Sequence, residues 1–176
     1  MLTGLISINK PHTDNIFSED KGLEWRKKPL PAGLYYVYET KNKGGCGMVI
    51  GEMQIESYRS VNTSRPLPVW FVNAGCVHPA ALKRYANNGT VYANFIKKAK
   101  RYDKPKPLGD FSVIDKDAVK KCPHRAQVFC NPELVNGATL PAGHVCMKGE
   151  VDRCVKCRTK PISRPPQSWC RVEEIK

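Results

Sequence analysis

No stretch of this chain approaches the ~18 uninterrupted apolar residues that a membrane-crossing helix requires, so the sequence offers no candidate span and no membrane partner is expected. The opening Met1-Leu-Thr-Gly-Leu-Ile-Ser-Ile is apolar only briefly before Asn9-Lys10-Pro11. It lacks the basic region, long apolar core and small-residue cleavage site of a secretory signal, and reads instead as a first strand. Acidic residues are scarce: 16 Asp and Glu stand against 29 Lys and Arg, a formal charge of +13. That imbalance favours a polyanionic partner, because neutralising phosphates releases condensed counterions; RNA, DNA and anionic lipid all fit, and charge alone does not choose among them. A basic surface that only aids solubility is the plainer alternative. There is no internal repeat and no low-complexity tract. Hydrophobic residues at 41% and charged residues at 26% are ordinary globular usage, which argues against general disorder.

What the sequence does have is 176 residues, enough for one domain carrying a sizeable insert rather than two full domains, and eight cysteines. With a cytoplasmic location expected, those cysteines are read as free or metal-bound rather than paired.

Lys10-Pro-His-Thr-Asp-Asn-Ile-Phe17 reads as a short helix with Pro11 in its first turn. Gly33-Leu-Tyr-Tyr-Val-Tyr-Glu39 and Gly47 to Ser57 read as strands joined by the turn-forming Asn42-Lys-Gly-Gly. By the period of two, Val49, Gly51, Met53 and Ile55 share one face of the second strand and Glu52, Gln54 and Glu56 the other. The span from Arg59 to Trp70 reads as a loop, Pro79 to Gly89 as a short helix stopped at the glycine, and Thr90 to Tyr102 as a long strand. The prolines after Lys104 are expected to end that strand, because they remove ladder donors. From about Val113 to Ser163 the texture changes to five cysteines, two histidines and few β-branched runs. Pro165 onward returns to strand character. The order suits a compact, mainly β α+β fold better than a parallel α/β sheet.

Three patterns in family order resemble the ASCH family of the PUA-like superfamily. Lys21-Gly-Leu-Glu-Trp-Arg26 is similar to its Gly-x-Lys-x-x-Glu-x-Arg signature, with Glu19 where the glycine stands. Val49-Ile-Gly-Glu-Met-Gln-Ile55 is similar to its Val-Val-Gly-Glu strand. Lys104-Pro-Lys-Pro-Leu-Gly-Asp-Phe111 pairs with Arg164-Pro-Pro-Gln-Ser-Trp-Cys170 near the end. The resemblance implies a PUA-like pseudo-barrel with short helices over residues 1–112 plus 164–176, interrupted by a cysteine-rich insert over 113–163. It also implies a cleft for RNA or a nucleotide beside the signature. Some similar proteins hydrolyse acetylated cytidine with a Lys, a Thr and a Glu, and others are described as ribonucleases. Carried over, the Lys is Lys21 and the Glu is Glu52. The Thr has no counterpart, since Gly22 and Glu24 hold the nearest positions, and this favours a binding module over an amidohydrolase acting on a modified nucleoside.

The residues give each element of that reading a chemistry. Lys21 offers a point charge or, desolvated, a base; Arg26 offers a fork of donors for phosphate or a base edge, and shares a face with Glu24 if the segment is extended. A surface Glu-Arg pair beside a solvated lysine is the structural alternative. With Glu52 these form the candidate ligand site, and Lys21 and Glu52 the candidate catalytic pair if the protein is an enzyme. Lys97, Lys98, Lys100 and Arg101, interleaved with aromatic residues, form a candidate nucleic-acid surface or a lysine-protected strand edge. Trp25 and Trp70 are expected in the core or the cleft wall. Cys154-Val-Lys-Cys157 bends naturally around a tetrahedral zinc, with Cys122 and Cys146 completing a four-sulfur structural site and His124, Cys130, His144 and Cys170 as substitutes. So poorly apolar a segment needs such a staple, and it is also where a protein partner could dock. The glycine-rich run Gly44 to Gly51 lacks phosphate-loop spacing and leads into a strand, so that reading is set aside.

Overall fold

A computed structural model describes residues 3–114 and 159–174. The architecture is α+β and mainly β. In order come β1 (Thr3–Ile8), α1 (Lys10–Phe17), β2 (Leu23–Arg26), β3 (Gly33–Glu39), β4 (Val49–Asn62), α2 (Val69–Gly75), α3 (Pro79–Ala86), β5 (Thr90–Lys106), β6 (Phe111–Ile114), β7 (Thr159–Pro161), β8 (Trp169–Arg171) and β9 (Glu173–Glu174). Six strands form a mixed sheet in the order β2-β5-β4-β3-β1-β8, and β7-β6-β9 form a small second sheet. No helix among the described residues is long and apolar enough to cross a membrane.

Strands β1 and β3 pair in parallel, with Thr3 opposite Leu34 and Ile8 opposite Glu39, so their carboxyl ends lie side by side. One face of the sheet buries Ile6, Ile8, Tyr35, Val37, Met53 and Ile55 against Ile16 of α1. The opposite face buries Leu5, Tyr36 and Tyr38 against Phe111 of the second sheet and Ile162 just after β7. A third cluster, around Leu23, Trp25, Phe71 and Leu82, seats α2 and α3 on β2 and β5. Each fully buried large side chain contributes about 1.5–3 kcal/mol of apolar burial, so every element that shapes the site is anchored by one or more of them.

Several sequence expectations need correction. Val49 lies in the second cluster while Met53 and Ile55 lie in the first, because a β-bulge between Val37 and Tyr38 on one side and Val49 and Gly51 on the other reverses the alternation at Ile50. Strand β5 runs on to Lys106 despite Pro105. Its register jumps from Arg101 opposite Gly51 to Lys106 opposite Val49, so the proline falls in a bulged stretch where no ladder donor is needed. Of the expected loop from Arg59 to Trp70, residues 63–68 are turn and loop, while Arg59–Asn62 end β4 and Val69–Trp70 begin α2. Helix α3 stops on Asn87 and Asn88, both left-handed, rather than on Gly89.

Strands β6 and β7 pair antiparallel, with Val113 opposite Lys160, which brackets the cysteine-rich segment between neighbouring strands. Residues 115–158, and with them Cys122, His124, Cys130, His144, Cys146, Cys154 and Cys157, lie outside the described residues.

Candidate functional site

A cavity of about 660 Å³ opens at the carboxyl ends of β1 and β3, bounded by β2, α1, α3 and the chain just before β8. Its position follows from the sheet: where two parallel strands end together, the turns leaving them diverge and a crevice remains. The signature segment supplies one wall. Lys21, Glu24 and Arg26 all line it, together with Trp25.

Strand β2 is pinned from behind by a residue that the sequence did not single out. Asn94 is fully buried. Its side-chain oxygen accepts from the Leu30 amide at 2.8 Å and its amide donates to the Glu24 carbonyl at 2.8 Å, so β5 sets the position of the Glu24 backbone. The adjoining helix α2 is held equally closely. A Cβ on Gly75 would stand 2.0 Å from Trp25 Nε1, so only glycine lets α2 approach the indole, and this approach brings the Gly75 carbonyl to the Lys21 ammonium, which donates to it.

The three charged groups form one buried array. Lys21 is 2% exposed and Glu24 6%. The Glu24 carboxylate lies between two cations, with Oε2 at 3.8 Å from Lys21 Nζ and Oε1 at 2.9 Å from Arg26 Nε. The second contact is an ion contact without an aligned N–H, since Nε has no hydrogen-bond partner of good geometry. Arg26 Nη2 donates to the Ser7 carbonyl at 2.8 Å. Burial pushes the Lys21 pKa below its ordinary value, and the nearby Glu24 and Cys76 offset this only in part. Two cations and one carboxylate leave a net positive wall. Buried arrays of this kind add little stability, and removing one member costs about 3–5 kcal/mol because the others are left unpaired. Their occurrence beside a cavity therefore points to ligand chemistry more than to stability.

The remaining walls come from far along the chain. His12 of α1, Thr40 after β3, Tyr85 of α3 and Gln167 before β8 all face the cavity. Thr40 Oγ1 donates to Asn9 Oδ1 at 2.6 Å, and Ser7 Oγ donates to the Pro166 carbonyl at 2.7 Å, tying the closing segment to β1. Tyr85 is partly exposed, with Lys27 Nζ 5.3 Å from its ring centroid. The sequence marks these residues only weakly. His12 follows Lys10-Pro11 in a helix start, and Gln167 sits in the Arg164-Pro-Pro-Gln segment that the family resemblance includes.

The other candidate residues lie elsewhere. Glu52 is not among the residues lining the cavity. It stands opposite Tyr36 on the sheet face of the second cluster, and its Oε2 accepts from the Tyr102 hydroxyl at 2.8 Å. Lys97, Lys98, Lys100 and Arg101 are exposed along β5. Lys97 lies 3.5 Å from Glu56 and Arg101 lies 3.3 Å from Asp14, so acids already engage two of the four. Trp25 does form cleft wall, but Trp70 is 50% exposed and stacks on Phe71 at 3.9 Å rather than entering the core. Among the described residues, Cys46, Cys76 and Cys170 are free thiols and no cluster of three or more metal-binding side chains occurs.

No family model matches the sequence, and no curated protein does. Solved structures match by shape. The crystal structure of an ASCH protein from Zymomonas mobilis is similar over 97% of this chain and 87% of its own, at 16% identity and a TM-score of 0.56. A serine-to-alanine variant of that protein is similar over 97% and 88%, at 15% identity and a TM-score of 0.55. The chain therefore has the ASCH fold.

Proposed function

We propose that the chain is an RNA- or nucleotide-binding module whose ligand occupies the cavity walled by Lys21, Glu24 and Arg26. The observation that carries this reading is the buried, net-positive array on a concave surface that also offers an indole and a phenol, Trp25 and Tyr85. Cations recognise phosphate and rings stack on bases, and a cavity of about 660 Å³ falls within the size range of small-ligand sites. Hydrolysis of an acylated nucleoside would need Lys21 and Glu52 to work together. Glu52 instead bonds to Tyr102 outside the cavity, and so binding is the better-supported role.

Because Trp25 lines the cavity, ligand entry should change its fluorescence. Titrating the protein with ribonucleotides and short single-stranded RNA should give a saturable change whose Kd rises at least tenfold in Arg26→Gln. Equal affinity in that variant would refute the placement of the ligand. For the segment outside the described residues, the proposal is a structural zinc held by Cys122, Cys146, Cys154 and Cys157, whose soft thiolate donor set suits that metal.

A further inference from the structure

We propose that the cavity takes a ligand bearing a phosphate monoester, and that His12 distinguishes this group from an uncharged one by gaining a proton as the phosphate enters. The inference rests on the nucleotide-site reading above and narrows it to one chemical class.

His12 lines the cavity from the first turn of α1. Its Nδ1 is sealed from solvent without a hydrogen-bond partner. Its Nε2 is not among the sealed atoms and bonds to no described residue, so it is the nitrogen available to a ligand. Tautomer choice follows from the cost of orphans. A buried N–H with no acceptor is rarer and costlier than a buried lone pair with no donor, so the proton of the neutral ring belongs on Nε2. The ring thus presents a donor to the cavity. Lys21 and Arg26 present donors to the same space, and Arg26 Nη1 makes no bond to a described residue. Three donors converging on a net-positive wall suit an acceptor-only group with at least two oxygens, and a phosphate monoester near neutral pH carries about −1.5 to −2 charge and three such oxygens.

The proton follows from electrostatics. The charged groups that act on His12 are Lys21, Glu24, Lys43 and Arg26, of which only Glu24 favours the imidazolium. Burial and then Lys21 hold its pKa below the ordinary value, so the empty site carries a neutral ring at neutral pH. A dianion entering the cavity reverses that balance. The imidazole takes up one proton from the buffer at Nδ1, because the attraction of an adjacent dianion for the imidazolium outweighs the cost of leaving the sealed Nδ1–H without an acceptor, and Nε2–H becomes a charge-assisted donor to a phosphate oxygen. An uncharged nucleoside brings no such charge and should bind without proton uptake.

Isothermal titration calorimetry at pH 7 decides this, using the four ribonucleoside monophosphates and their nucleosides in two buffers of different protonation enthalpy. The expected result is tighter binding of the monophosphates, with uptake approaching one proton that is absent for nucleosides. In His12→Gln the uptake should vanish and the preference for monophosphates over nucleosides should fall about tenfold or more, the worth of one charge-assisted hydrogen bond. Monophosphates bound without proton uptake, or no more tightly than nucleosides, would overturn the role of His12 and leave the nucleotide site standing. RNA bound at the surface with no mononucleotide entering would also overturn it. Failure of nucleosides, nucleotides and short RNA alike would overturn both.

Discussion

Gly75→Ala tests whether the signature wall depends on the tight seating of α2. The added methyl would stand 2.0 Å from Trp25 Nε1 and 3.0–3.1 Å from two further indole atoms. The indole cannot retreat cheaply. It is 6% exposed and packs against Phe71 at 5.8 Å between ring centroids. The helix must move instead, at the ordinary overpacking cost of about 1–3 kcal/mol. Moving α2 also withdraws the Gly75 carbonyl from the Lys21 ammonium, a hydrogen bond to a charged group worth about 1.5–3 kcal/mol. Together these give a loss of roughly 2.5–6 kcal/mol if both occur, a large part of a normal stability of about 5–15 kcal/mol. With a urea slope of roughly 2 kcal/mol/M, the unfolding midpoint should drop by about 1.2–3 M. Gly22→Ala is the matched control. It lies next to Lys21, its φ is not left-handed and a Cβ there meets nothing within 4 Å, so the change should be neutral or stabilising by about 0.4–1 kcal/mol. Equal midpoints for the two variants would refute the close approach of α2 to Trp25.

Replacing Lys97, Lys98, Lys100 and Arg101 together by glutamine should reduce the slope of log affinity against log salt for single-stranded RNA by about 3, from about 0.7 per phosphate contact; an unchanged slope would remove β5 from the interface. Acid should destabilise the protein partly through His12. Its native pKa is lowered by burial and by Lys21, so between that value and the unfolded value of about 6.5 the unfolded chain binds more protons, and stability falls as pH drops through the window. His12→Gln should flatten that part of the curve of urea midpoint against pH. Elemental analysis of purified protein should find about one zinc per chain, and chelation should raise the number of titratable thiols while Trp25 fluorescence stays native; a metal-free preparation with the same thiol reactivity would refute the zinc proposal.

Local patterns in the sequence were enough for the elements whose residues act on near neighbours. Pro11 in a first turn marked α1, the aromatic and branched run at Gly33 to Glu39 marked β3, and the spacing of Lys21, Glu24 and Arg26 placed all three on the cavity wall once β2 was extended. Features set by distant partners were not legible. Helix α2 spans only seven residues, too few for a 3.6-residue period to register, and prolines at 66 and 68 before it read as loop. The bulge at Ile50 depends on what β3 and β5 place opposite it, and it moved Val49 to the other face. Glu52 fell on the strand face opposite Met53 and Ile55 as expected, but that face carries the second buried cluster, and which face of the sheet the cavity serves is decided by α1 and β2, so its separation from Lys21 is a tertiary fact. His12, Tyr85, Asn94 and Gln167 join the site through contacts between separate segments, which local patterns mark only weakly for His12 and Gln167 and not at all for Asn94.

Entry of a nucleotide or RNA segment into the cavity of Lys21, Glu24 and Arg26 can be watched at a single atom. The NMR indole N–H resonance of Trp25, assigned by its loss in Trp25→Phe, should be followed during titration with ribonucleotides and short RNA. A ligand in the cavity should give a saturable shift at Trp25 that disappears in Arg26→Gln. RNA binding that perturbs the amides of Lys97 to Arg101 while leaving Trp25 unmoved would contradict that placement.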